Sequence, residues 1–97
     1  MSYKIIIPQS VYFELNEAAM YYEQKQPKLG EKFILDWETT TARLSQNPLH
    51  YQKKYKKLRS ISLTTFPYLM VFEIEGKEII IYRLIHSQRN PKKIFKK

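Results

Sequence analysis

Ile79-Ile80-Ile81-Tyr82-Arg83-Leu84-Ile85 decides the fold of this chain. Apolar side chains fall on both of its alternating faces, the pattern of a strand with neighbours on either side and helices over one face. Gly76 permits a tight turn from the preceding strand, Tyr68 to Glu75, into a strand running from Glu78 to His86. Leu58 to Leu63 reads as another strand, and Tyr3-Lys4-Ile5-Ile6-Ile7, closed by Pro8, as the first. The run Phe66-Pro67-Tyr68-Leu69-Met70-Val71-Phe72 is apolar, β-prone and uncharged, so an exposed edge there would invite aggregation; the expectation is an internal or covered strand.

Between the first strand and the rest, the hydrophobic period changes to that of helices. From about Ser10 to Lys25, Val11, Leu15, Ala18, Ala19 and Tyr22 recur at helical spacing, with Glu14, Glu17 and Gln24 on the other side. Gln26-Pro27 ends this helix, because a residue before proline is pushed out of the helical region. A second helix is expected from about Lys28 to Ser45, with Phe33, Ile34, Trp37, Thr41 and Leu44 on its apolar stripe and Asn47-Pro48 as its stop. Tyr12, Trp37, Phe33, Phe66 and Phe72 are assigned to the core. His50 to Lys57 reads as a polar, basic connection. The order is β-α-α-β-β-β, an α+β fold in which a two-helix hairpin packs on a small antiparallel, mixed-edge sheet.

The 97 residues suit one domain, 1–97, with a single modest core. There is no cysteine, so disulfides and thiolate metal sites are excluded, and His50 and His86 are the sole imidazoles; no metal and no cofactor is expected. The first residues lack a signal-peptide core, and no run approaches the roughly 18 apolar residues of a membrane span. A cytoplasmic protein without membrane contact is the expectation. The net charge of +8 is unevenly spread. Residues 1–38 hold four Lys/Arg and six Asp/Glu, whereas residues 39–97 hold thirteen and three. Such clustering implies a basic face for a polyanion or an acidic protein segment, with affinity falling as salt rises.

The element order, Asn47-Pro48 after the second helix, Leu58-Arg59 opening a strand, Phe66-Pro67-Tyr68 before the next, and the ending Leu84-Ile85-His86-Ser87-Gln88-Arg89-Asn90-Pro91 together resemble toxins of the RelE/ParE superfamily. These are the toxic halves of bacterial type II toxin-antitoxin modules, and the resemblance leans to the ParE-like branch. It implies growth inhibition, plasmid stabilisation and a cognate antitoxin that wraps the toxin in a hetero-oligomer. ParE-like members act on DNA gyrase by binding, whereas RelE-like members cleave messenger RNA on the ribosome. The leading expectation is gyrase; a ribosome-dependent mRNA endoribonuclease and a non-toxic antitoxin-binding relic remain the alternatives.

Metal-free RNA cleavage requires a group to activate the 2′-hydroxyl, cations to stabilise the transition state, and an acid for the leaving oxygen. His86 titrates in the right range, and Arg59 and Arg89 suit bidentate phosphate contact. Glu73 or Glu75 is the fallback carboxylate. Phe95 stands where several nucleases of the superfamily carry a tyrosine, and it can stack but transfers no proton. Lys53, Lys54, Lys56 and Lys57, with Arg83 and Phe95, are the candidates for nucleic-acid or target binding, helped by Tyr51 and Tyr55. Met20 and Tyr21 lie off the main apolar stripe of the first helix and are the candidates for antitoxin contact.

Overall fold

The computed structural model describes residues 2–88. Its elements are β1 (Lys4–Ile6), α1 (Gln9–Lys25), α2 (Leu29–Gln46), a single 3-10 turn (Pro48–His50), β2 (Lys53–Tyr55), β3 (Leu58–Ser62), β4 (Tyr68–Glu75) and β5 (Glu78–His86). Both helices start and stop within two residues of the positions marked by Pro8, Gln26-Pro27 and Asn47-Pro48. The strands form one sheet in the order β1-β5-β4-β3-β2. β1 runs parallel to β5 and every other pair is antiparallel, so the sheet is mixed at one edge. The basic stretch read as a connection contains β2, which pairs with β3 across the two-residue turn Lys56-Lys57. Three residues of strand carry too little pattern to stand out from a loop.

The helices cover one face of the sheet. Val11, Leu15, Phe33, Trp37 and Leu44 meet Ile61, Met70, Phe72, Ile79, Ile81 and Leu84 in one core cluster. β4, the apolar strand of concern, is an inner strand, paired with β3 over Leu69 to Phe72 and with β5 along its length. Tyr12 corrects one assignment, because it is 47% exposed and contributes nothing to the core. One residue beyond Val11, it lies about 100° further around α1 and falls off the buried stripe.

Two devices join the layers. At the α1–α2 turn the Glu23 carboxylate accepts hydrogen bonds from the Lys28 and Gly30 amides, both at 3.0 Å, supplying the cap that Lys28 does not. A Cβ on Gly30 would sit 2.7 Å from the Ala19 carbonyl oxygen, so glycine sets the closeness of the helices there. Further along α2, the buried Asp36 carboxylate accepts from the amides of Thr64 (3.0 Å), Thr65 (2.8 Å) and Phe66 (3.0 Å), fixing the β3–β4 loop. Arg43 adds a bond to the Ser62 carbonyl at 3.2 Å.

Candidate functional site

A change of parity in β5 determines which of its side chains face away from the helices. Strict alternation from Ile79 and Ile81 would turn Arg83 into the core. The register instead pairs Val71 with Arg83 and Phe72 with Ile81, leaving Tyr82 as the extra residue of a β-bulge. Leu84 therefore joins the core, while Arg83 leaves the strand on the same face as Val71 and its guanidinium turns back to α1.

Among the described residues the sheet face turned from the helices carries a groove of about 520 Å³. It is lined by Tyr55, Lys56, Lys57, Leu58, Tyr82 and Arg83, with the buried Val71 beneath them. Glu73 also lines it, with its carboxylate accepting the Tyr82 hydroxyl at 2.7 Å. This hydrogen bond, followed by partial burial, raises the Tyr82 pKa above the ordinary phenol value, because the neutral phenol is the donor. Arg83 is held by α1. Glu14 receives the Arg83 Nε at 2.7 Å through one oxygen and the Leu84 amide at 2.8 Å through the other. Between described residues this is the one ion pair, so Lys56 and Lys57 face no carboxylate partner. Lys56 holds a left-handed backbone (φ 53°) and lays its ammonium over the Tyr55 ring, 5.3 Å from the centroid.

His86 lies on the opposite face. It pairs across the ladder with Tyr68, whose ring it meets edge-on at 5.2 Å, and its Nδ1 accepts the Gln88 amide at 3.2 Å. It borders a second groove, of about 620 Å³, between α1 and the end of β5, together with Glu14, Glu17, Tyr21, Tyr22 and Tyr68. Burial, then the neighbouring Tyr68 and Tyr21, raises the Tyr22 pKa. Arg59 also occupies the helix side, paired with Phe72, and donates to the Tyr51 carbonyl at 2.7 Å. Along β4, Phe72 and Tyr68 are four residues apart, about 13 Å. Arg59 and His86 thus stand at opposite ends of the covered face.

The other candidates divide likewise. Lys53 and Lys54 are exposed on β2 outside the groove, and Glu75 is exposed at the end of β4. Met20 (59% exposed) and Tyr21 (52% exposed) remain on the surface of α1, with the Lys25 ammonium 5.0 Å from the Tyr21 ring centroid. Arg89 and Phe95 lie outside the described residues. Among the described residues no group of three or more His, Asp or Glu side chains is placed to hold a metal ion, and no helix is long and apolar enough to cross a membrane. Sequence reasoning missed Glu14, Tyr82 and the β-bulge as parts of the site. A helix acid facing a strand far along the chain has no local signal, whereas the triplet Ile81-Tyr82-Arg83 before Leu84, where alternation breaks, offered one.

Residues 5–91 match the family described as ParE toxin of type II toxin-antitoxin system, parDE. No curated protein matches the chain. Among solved structures, one of a chromosomal ParDE TA system from P. aeruginosa is similar, with a TM-score of 0.79 and 19% identity over 90% of this chain and 98% of that one. At that identity the likeness concerns the fold.

Proposed function

Because this chain belongs to the ParE toxin family of type II toxin-antitoxin systems, we propose that it arrests growth by binding a target protein, with DNA gyrase the expected one, and that a cognate antitoxin neutralises it. The observation that carries binding over cleavage is the split of the cations between the two faces of the sheet. Arg59 and His86, which a nuclease would need at one phosphate, are engaged in separate contacts on the helix-covered face. Lys56, Lys57 and Arg83 instead line one groove with Tyr55, Leu58 and Tyr82, which suits a macromolecular partner better than an acid–base step.

The test is a pair of assays on the purified chain. In a gyrase supercoiling assay it inhibits, and Lys56→Glu/Lys57→Glu relieves the inhibition. In a translation extract the message stays intact. Ribosome-bound message cut at a rate that His86→Ala lowers by orders of magnitude overturns the proposal in favour of a nuclease. Growth unaffected by induced expression overturns both toxic readings.

A further inference from the structure

We infer that the groove between α1 and the end of β5 is a binding site for a small organic cation, an aliphatic ammonium or guanidinium compound held by the Glu17 carboxylate and the tyrosine rings beside it. This site is separate from the growth arrest proposed above and stands or falls without it. In a chain with seventeen Lys and Arg and a net charge of +8, none of the described residues lining this groove of about 620 Å³ is Lys or Arg. Its accessible lining comes from Glu17, Tyr21, Tyr22, Tyr68, His86 and Gln88, with Ala18 and Leu84 buried beneath. A cation approaching this basic molecule is repelled over the second half of the chain and attracted here.

The two carboxylates of the groove differ. Glu14 has both oxygens engaged, one by the Arg83 Nε and the other by the Leu84 amide, so its charge is already matched. Glu17, three residues further along α1, is exposed and makes no ion pair with any described residue. Beside it the rings run in series: Tyr21 meets Tyr22 edge-on at 5.2 Å, Tyr22 meets Tyr68 at 6.2 Å, and Tyr68 meets His86 at 5.2 Å. Tyr22 and Tyr68 also share a side-chain hydrogen bond. Rings fixed against one another in this way lose little freedom when a ligand arrives. The fold already seats one alkylammonium on this rim, because the Lys25 ammonium lies 5.0 Å from the Tyr21 ring centroid, drawn by the ring quadrupole. Other ligands fit less well. An anion would face the unmatched charge of Glu17, and a bare metal ion needs a set of three or more His, Asp or Glu side chains that the described residues do not bring together. An organic cation asks for what is present: one carboxylate, aromatic surface for its diffuse charge, and phenol oxygens as acceptors.

The probe is agmatine, an aliphatic chain ended by an ammonium and a guanidinium, titrated into the full chain and followed by amide NMR shifts. Shifts are expected at Glu17, Tyr22, His86 and Gln88, saturating at roughly millimolar ligand. N-butylurea, which has a similar shape and no charge, is expected to give no saturable shift at those amides. Glu17→Gln is expected to weaken agmatine binding about threefold or more. Glu38→Gln, an equal change of net charge on the exposed side of α2 and outside the groove, is expected to weaken it less than about 1.5-fold. Tyr21→Leu is expected to weaken it about threefold, whereas Tyr21→Phe, which keeps the ring, leaves it within about 1.5-fold of the parent. Equal losses in Glu17→Gln and Glu38→Gln, equal binding of N-butylurea and agmatine, shifts confined to another surface, or no saturation at about tens of millimolar ligand would each overturn the inference. Arg89→Gln/Lys92→Gln/Lys93→Gln decides where the cation comes from. Agmatine binding within about twofold of the parent is expected; binding tightened about fivefold or more would assign the groove to cations of the chain's own ending and overturn an external ligand.

Discussion

Replacing Asp36 should remove a large part of the stability of this domain. Its carboxylate is the acceptor for three consecutive amides, those of Thr64, Thr65 and Phe66, at 2.8 to 3.0 Å. Hydrogen bonds to charged groups contribute about 1.5–3 kcal/mol each when both partners are out of water. Only the Phe66 amide belongs to a buried bond; the other two are partly buried, and water replaces much of what they lose. Counting about 2–3 kcal/mol for Phe66 and about 0.5–1 for each of the others, Asp36→Ala should cost about 3–5 kcal/mol. Asp36→Asn can keep the oxygen that serves Thr65 and Phe66, but it turns an amino group toward the Thr64 amide, donor against donor, and should cost about 1.5–3 kcal/mol. Against a usual domain stability of about 5–15 kcal/mol, the alanine variant is near the threshold of folding. Urea denaturation followed by Trp37, the single tryptophan and a buried neighbour of Asp36 on α2, reads both values. Hydrogen exchange should show the Phe66 amide losing protection while β4–β5 ladder amides keep theirs at matched stability. If both variants stay within about 1 kcal/mol of the parent, the loop is held by something other than this carboxylate, and the reasoning fails.

The glycine at the helix turn can be tested in the same way. Gly30→Ala gains about 1 kcal/mol of helix propensity but forces a methyl 2.7 Å from the Ala19 carbonyl oxygen, a strain of about 1–3 kcal/mol. A lowered melting temperature is expected, and a raised one would refute the close approach. Lys56→Gly exchanges the left-handed penalty of about 1–2 kcal/mol for a glycine entropy cost of about 0.5–1 kcal/mol. Stability should hold or rise slightly while inhibition of the target weakens; a loss of more than about 1 kcal/mol would refute the strained turn. Tyr82 and Tyr22 have pKa values raised above 10.0, the first mainly by its bond to Glu73 and the second mainly by burial. Folding therefore favours their neutral forms, so their contribution to stability is complete below the unfolded value and disappears as pH rises through the folded one. Absorbance titration of the native protein should lag behind that of the urea-unfolded chain, and Tyr22→Phe and Tyr82→Phe should each remove part of the lag. Superimposed curves for native and unfolded chains would contradict both assignments.

The two helices, the long hairpin of β4 and β5, and the α+β order were legible in the amino-acid pattern, because they depend on periodicity and stop signals within a dozen or so residues. So was the positive charge of the second half, since that is a matter of counting. Which cations lie near one another is set by the folded chain. Arg59 and His86 share a face but sit at opposite ends of it, an arrangement set by the pairings Arg59–Phe72 and Tyr68–His86 that no local pattern encodes. Arg83 leaves β5 on the face opposite the core because one extra residue at Tyr82 shifts the alternation, and Glu14 holds it from a helix 69 residues earlier in the chain. The three-residue β2, the anchor at Asp36 and the exposure of Tyr12 follow the same logic. Each is fixed by what lies across the fold, so its cause is a register or a contact, and those exist only once the sheet has closed against the helices.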